Sequence, residues 1–258
     1  MAITQIVQEL DALAFRAWPA REVVALDGWW LRHTAGVTRR ANSAWPEVAG
    51  THLTLSERVA ELEAFYERRG LPARVQISPA AAKANLDAEL SARGFGVEAP
   101  VSIQTAELDG VLRQSRARPE GVSVRVEVGP FEQWREIAVA RSRFAETPEV
   151  FEGLVRRLSD TALCGVACVR DRPAATVLGV RQGAWLGLFS MLTVPEHRRR
   201  GLGTALLQGL CEATKNLGVS RVYLQVERSN PAALSLYAGL GFREAYGYHY
   251  LTKPPPPP

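Results

Sequence analysis

Leu186-Gly-Leu-Phe-Ser-Met-Leu-Thr-Val194 runs into Pro195-Glu-His-Arg-Arg-Arg-Gly-Leu-Gly203, and that into Thr204-Ala-Leu-Leu-Gln-Gly-Leu-Cys-Glu-Ala-Thr-Lys215. The first segment is an apolar run with strand character that stops at Pro195. The second is a short basic loop with two glycines. The third repeats apolar residues at helical spacing. Strand, glycine loop and helix N-terminus in that order make a seat for an anion. The first helical turn points unpaired backbone N–H groups outward, and the helix dipole favours negative charge there. Gly201 and Gly203 let the backbone take the turn and come close to a phosphate.

Residue types exclude two common nucleotide loops. A Walker A loop needs a lysine and a hydroxyl after its last glycine, but Gly203 is followed by Thr204-Ala-Leu206. A dinucleotide fingerprint needs a third glycine where Leu206 stands. What remains is R-x-x-G-x-G, Arg198 to Gly203. It is followed by a strand, by Asn230-Pro231, by Tyr237 and by Gly241-Phe242.

Working outward, a chain of 258 residues has the length of two ordinary domains. Its 47% hydrophobic and 22% charged residues suit a soluble globular protein. The net charge of +4 fits small anionic ligands and does not call for nucleic acid. Cys164, Cys168 and Cys211 make no disulfide framework and read as reduced core cysteines of a cytoplasmic protein. The N-terminus lacks a basic segment before an apolar one, so no signal peptide is expected, and no run approaches a membrane span. His33, His52, His197 and His249 have no ligand spacing, so no metal site is expected.

The periodicity predicts a helix over 3–17, strands over 22–26 and 29–34 joined by Asp27-Gly28, and an extended piece over 37–44 that Pro46 ends. A helix over 56–69 has Ser56 as its candidate N-cap and Gly70 as its stop. A strand (73–77), a helix (80–93) and a strand (100–106) follow. The polar, Arg-rich stretch 109–121 reads as a linker. The second half restarts with the strict alternation of Ser123 to Val128. It continues through helices over 131–140 and 148–158, strands over 163–169 and 175–181, and the central strand. After the glycine loop and its helix come a strand (221–226), a helix (231–240) and a strand pair ending at Leu251. The expected domains are therefore 1–108 and 122–253, with a disordered proline tail, 254–258.

The halves share a register. Moving residues 29–95 forward by 147 positions lays Gly36 on Gly183, Arg74-Val75 on Arg221-Val222 and Gly94-Phe95 on Gly241-Phe242. The helix at Ser56 falls on the helix at Thr204 without a gap, which suggests an old duplication. Where the second half has Arg198 to Gly203, the first has Thr51-His-Leu-Thr-Leu-Ser56, with neither glycine nor arginine. Where the second has Tyr237, the first has Leu90.

On Val194-Pro195, Arg198-x-x-Gly201-x-Gly203, Asn230-Pro231, Tyr237 and Gly241-Phe242, residues 122–251 resemble the GNAT superfamily of N-acetyltransferases. The whole chain resembles its tandem members. The resemblance implies an α/β (α+β) fold of two modules, each a mixed twisted sheet flanked by helices, with the N-terminal module lacking the site. It implies that acetyl-coenzyme A is the cosubstrate and a primary amine the acceptor, either a small molecule or an N-terminal amine. The pyrophosphate would lie on backbone N–H groups of the loop Arg198, Arg199, Arg200, Gly201, Leu202, Gly203 and Thr204. The pantetheine arm would pair with the strand at Leu192, Thr193 and Val194. Asn230 matches the family's asparagine at the start of the next helix, and Ala233 is expected beside it.

The resemblance implies direct attack by a neutral amine, with backbone N–H groups near Leu192 holding the oxyanion. Tyr237 would be the general acid for the departing thiolate, since a thiol pKa of about 8.5 and a phenol pKa of about 10 are close enough to share a proton. Many members place a glutamate base in or beside the central strand, and here there is none. Glu146, in Arg141-Ser-Arg-Phe-Ala-Glu-Thr-Pro148, is the candidate base or acceptor contact, because that loop covers the acceptor site in the family.

Plainer readings stand beside these. Arg198 to Arg200 alone would read as a solvated basic face or a nucleic-acid patch, and Tyr237 as a core residue between Leu234 and Leu240. Trp29, Trp30 and Trp45 read as core or domain interface. Tyr246, Tyr248 and Tyr250 alternate on one strand face, as core or as an aromatic wall for the acceptor. The alternative to an enzyme is a module that binds acetyl-coenzyme A without turnover and serves sensing or association.

Overall fold

The computed structural model describes residues 3–81, 85–114 and 117–255. The chain divides into two units, and the division does not follow the chain in order. The first runs to Ser102 and takes in Glu227–Ser229 and everything from Tyr246 onward; the second is Ile103–Val226 with Asn230–Ala245.

In chain order the elements up to the first crossing are α1 (Ile3–Ala17), β1 (Glu22–Leu26), β2 (Trp29–His33), β3 (Ala44–Pro46), α2 (Leu55–Glu67), β4 (Ala73–Ile77), α3 (Leu86–Ala92) and β5 (Gly96–Glu107). Then follow α4 (Leu108–Arg113), β6 (Val122–Val128), α5 (Glu132–Ala138), α6 (Pro148–Arg157), β7 (Ala162–Val169), β8 (Arg172–Gln182) and β9 (Trp185–Thr193). The chain ends with α7 (Leu202–Thr214), β10 (Arg221–Glu227), α8 (Pro231–Gly239) and β11 (Arg243–Lys253).

The sheet of the first unit has the order β1-β2-β3-β4-β11. Asp27 and Gly28, both at positive φ, form the β1–β2 turn. β3 lies parallel to β4 at Ala44↔Val75, and β11 closes antiparallel on β4 from His249↔Ile77 to Lys253↔Ala73. Helix α2 packs Val59, Leu62, Phe65 and Tyr66 against Val75, Ile77, Leu90, Phe95 and Leu251. Trp29 and Trp45 are buried core residues. So are Tyr246, Tyr248 and Tyr250, the first donating its hydroxyl to Asp11 Oδ1 at 2.7 Å. The tyrosine row is interior packing and gives no open aromatic wall.

The sheet of the second unit runs β10-β9-β8-β7-β6, antiparallel from β9 to β6 and parallel between β9 and β10. Helix α7 lays Leu206, Leu207, Leu210 and Cys211 into its core. Gly165 and Gly179 make room for that helix, because a Cβ there would meet Leu206 at 3.3 Å and Leu210 at 2.9 Å. Both sheets are mixed and flanked by helices, as the sequence predicts.

Several details differ from the sequence reading. The N-cap of α2 is Thr54, not Ser56: its hydroxyl accepts from Glu57 N while Glu57 reaches back to Thr54 N, a reciprocal box that starts the helix one residue before Ser56. Residues 37–43 form no strand; the Asn42 side chain binds the backbone of Thr34, Gly36, Val37 and Thr38 and holds them as a loop. Helix α4 runs into the expected linker 109–121, where Val111 is buried, as is Leu108 just before it. The last strand is one unbroken element, β11, where a strand pair was expected. Of the proline tail, Pro254 and Pro255 are described without regular structure, and Pro256 to Pro258 lie outside the described residues. The offset of 147 carries α2, Leu55–Glu67, end to end onto α7, Leu202–Thr214.

Candidate functional site

Helix α7 begins without a cap. Its N-cap position is Gly201, in the left-handed region at φ +78°, with no side-chain hydrogen bond and no acid in the first turn. The N–H groups of Leu202, Gly203 and Thr204 thus have neither an intrahelical acceptor nor a capping oxygen. Arg199 is also left-handed, at φ +61°, so the loop curls its backbone donors inward. The Arg198 guanidinium donates to the Thr193 carbonyl at 3.2 Å and ties the loop to the end of β9. Gly203 has a packing reason. A Cβ there would stand 2.9 Å from Met191 Cε and 3.1 Å from Leu236 Cδ2.

Strand β9 is opened on purpose at its end. Its register with β8 gains one residue between Phe189 and Leu192, a β-bulge centred on Ser190, which takes φ +46°. Such a conformation costs a non-glycine residue free energy and collects at functional sites. The Ser190 hydroxyl is buried there without a hydrogen-bond partner. Beyond the bulge β9 no longer pairs with β10: the parallel register ends at Leu188↔Leu224, while β9 runs on to Thr193. The two strands part, and the edge of β9 between them is left with unpaired backbone groups.

Alternation decides which groups those are. Val194 N donates to the Ala174 carbonyl at 3.0 Å, so its amide belongs to the sheet. Successive residues of a strand point their N–H and C=O to opposite sides. Leu192 therefore faces β8 with Val194, whereas Met191 and Thr193 face the open edge. The assignment of the free backbone to Leu192 and Val194 is one residue out of phase, since the bulge shifts a pattern that the sequence shows as a plain apolar run.

A cavity of about 580 Å³ joins these parts. Leu192, Thr193, Arg198, Arg199, Gly201, Leu202, Gly203, Thr204, Asn230, Ala233 and Tyr237, all expected from sequence, line it. Val194 is buried beneath it, and Arg200 is exposed beside it. Met191, His197, Ala232, Ser235 and Leu236 line it too and were not foreseen. Ser235 and Leu236 lie three and four residues after Ala232 on α8, on a stripe beside the one that carries Ala233 and Tyr237. Glu146 is exposed in the loop between α5 and α6 and does not line the cavity. In the same part of the unit Arg141 pairs with Glu196 at 2.8 Å.

Asn230 caps α8, its side-chain oxygen accepting from Ala233 N at 3.1 Å, which fixes the helix that carries Tyr237. Tyr237 is 8% exposed, and its hydroxyl donates to Met191 Sδ at 3.6 Å. Burial pushes its phenol pKa up to about 12. It keeps its proton at any ordinary pH. Handing that proton completely to a thiolate costs roughly 3 kcal/mol more than for a free phenol. At ordinary pH the phenol is therefore a hydrogen-bond donor at the cavity wall. Among the described residues no three His, Cys, Asp or Glu side chains gather as metal ligands, and no helix is long and apolar enough to cross a membrane.

Residues 4–251 match the family model described as probable histone acetyltransferase Rv0428c, C-terminal. The chain is 30% identical over 255 residues to the uncharacterized N-acetyltransferase YobR of Bacillus subtilis, covering 96% of this chain and 98% of that protein. Among solved structures it resembles a GCN5-related N-acetyltransferase from Kribbella flavida, with TM-score 0.71, 16% identity, and 98% and 96% of the two chains covered. It also resembles a tandem GNAT protein from the clavulanic acid biosynthesis pathway, with TM-score 0.63, 16% identity, and 97% and 95% covered. At these identities the two structures speak to the fold alone.

Proposed function

The chain belongs to the Rv0428c C-terminal acetyltransferase family of GNAT proteins, and from that premise we propose that it moves the acetyl group of acetyl-coenzyme A to a primary amine. The observation that carries this reading is the uncapped N-terminus of α7, opening on a cavity that also holds the Tyr237 hydroxyl beside a sulfur atom.

The lining fits the molecule by its chemistry. Bare N–H groups and the Arg198 and Arg199 side chains suit a pyrophosphate. The unpaired edge of β9 suits an amide-bearing arm. The Tyr237 hydroxyl suits a thioester sulfur. The coenzyme supplies an activated acetyl group; this chain's residues orient and polarise it. The Met191 N–H is the donor for the developing oxyanion, fixed in direction by the bulge at Ser190. Tyr237 donates to the sulfur as negative charge builds there. The amine attacks as the free base, and its proton leaves through water, because no carboxylate among the described residues lines the cavity.

The acceptor is a small amine or the N-terminal amine of a peptide. We further propose that only the second half binds coenzyme. In the first half the chain's own side chains occupy the equivalent loop and helix start: the Asp27 carboxylate accepts from the N–H groups of Thr51, His52 and Leu53, and Thr54 and Glu57 cap α2.

Coenzyme A thiol release from acetyl-coenzyme A, followed across a panel of small amines and free-N-terminus peptides, tests the reading. Amine-dependent release with acetylated product by mass supports it. Tight binding with no release under any acceptor overturns it in favour of a binding module.

A further inference from the structure

The chain contains two methionines, Met1 and Met191. The internal one lines the cavity. Its sulfur accepts from the Tyr237 hydroxyl at 3.6 Å, and its methyl group packs where a side chain on Gly203 would collide. Met191 is half-buried and lines the open cavity, so a small solute reaches it from solvent. The three cysteine sulfurs are shielded: Cys164, Cys168 and Cys211 are 0%, 6% and 1% exposed. Burial raises all three thiol pKa values, those of Cys164 and Cys211 to about 12, which keeps them in the unreactive thiol form.

From this placement we propose that Met191 is an oxidative modification site, and that its sulfoxide closes the coenzyme cavity. The inference rests on the coenzyme reading above. The oxidant is a hydroperoxide. The thioether sulfur attacks the terminal peroxide oxygen and forms an S–O bond, the O–O bond breaks, and the other oxygen takes the proton from the transferred oxygen and leaves as water or alcohol. Sulfur is oxidised by two electrons and the peroxide is reduced by two. The product carries an S=O group, a far stronger hydrogen-bond acceptor than a thioether, within reach of the Tyr237 hydroxyl. That bond does two things: it occupies the donor meant for the thioester sulfur, and it holds the flexible side chain across the cavity. Unoxidised Met191, with three rotatable bonds and a weak acceptor, swings aside for the coenzyme.

The test treats the full-length protein with hydrogen peroxide and reads it two ways: peptide mass spectrometry for oxygen gained at Met191, and calorimetry for acetyl-coenzyme A affinity. Oxygen gain is expected to track an affinity loss of about tenfold or more, the scale of one added hydrogen bond to be displaced. Methionine sulfoxide reductase is expected to reverse both, and acetyl-coenzyme A bound beforehand to slow the oxidation. Met191→Leu, judged against its own untreated affinity, is expected to keep that affinity under the same exposure. Oxygen gain without affinity loss overturns the proposal. So does an equal relative loss in Met191→Leu, or an unoxidised Met191 while free methionine in the same tube reacts. Untreated protein that fails to bind acetyl-coenzyme A overturns the coenzyme reading instead, and the mass readout still reports separately on the oxidation of Met191.

Discussion

Helices α2 and α7 occupy equivalent places, 147 residues apart, and their N-termini are treated in opposite ways. At α2 the chain spends its own side chains on the bare donors. Asp27 takes the N–H groups of Thr51, His52 and Leu53, with Arg58 3.9 Å from the carboxylate, and Thr54 and Glu57 form a capping box. At α7 the position equivalent to Thr54 is Gly201, and the position equivalent to Glu57 is Thr204. Among the described residues no side chain caps this end, its first turn carries no acid, and three arginines stand in the loop. The difference teaches that a helix end becomes an anion site by what the chain withholds from it. Dipole and bare N–H groups are common to both ends.

The most severe way to break the comparison is to give α7 the cap of α2. Gly201→Asp with Thr204→Glu places two carboxylates where the pyrophosphate is proposed to sit, and aspartate tolerates the left-handed backbone. Acetyl-coenzyme A affinity is expected to fall by about 100-fold or more, from lost charge-assisted bonds and added like charge, with the melting temperature little changed. Calorimetry with a parallel melt checks both.

Tyr237→Phe comes next, because Leu90 at the equivalent position of the first half has no hydroxyl. Turnover is expected to drop about 100-fold with the KM for acetyl-coenzyme A nearly unchanged. Since burial holds the phenol near 12, the wild-type rate is expected to show no alkaline fall from this group around pH 10. A break there in the kcat–pH profile that vanishes in Tyr237→Phe counts against the burial argument.

Asp27→Asn tests the closed end. Backbone hydrogen bonds hold the Asp27 pKa at about 2, below its ordinary 3.8. A depressed carboxylate contributes stability that is complete above the unfolded value and lost as pH falls through the folded one. At neutral pH the variant is expected to melt about 2–4 °C lower, and the gap to wild type is expected to close as pH approaches 2. Coenzyme affinity is expected to stay within about twofold, since the loop serves only its own helix.

The smallest effect belongs to Glu146→Gln. An exposed acid outside the cavity is expected to change kcat by less than about twofold, read from steady-state rates.

Much of this was legible in the sequence because it rests on local signals. R-x-x-G-x-G between an apolar run and a helical run marked the loop. The fixed distances to Asn230 and Tyr237 marked the rest of the cavity, and periodicity gave nearly every helix and strand. Three features were hidden for physical reasons. The bulge at Ser190 is a register event between two strands, so Leu192 and Met191 exchange roles without any change in composition. Asp27 fills its loop across more than twenty residues of intervening chain, which no local pattern reports. The last residues of β11 close the sheet of the first unit, so the linear boundary read at 109–121 misses a division that returns to the chain at Tyr246. Glu146 was chosen from the family's habit, and its exposed position gives that choice no support.

One helix end is left uncapped, and its counterpart is capped by the protein itself. Titration of acetyl-coenzyme A into the full-length chain measures this directly. One site per chain, lost when Gly201→Asp and Thr204→Glu recreate the α2 cap and retained in Asp27→Asn, is the result expected. Two sites per chain, or one site that survives the transplanted cap and disappears with Asp27→Asn, would contradict it.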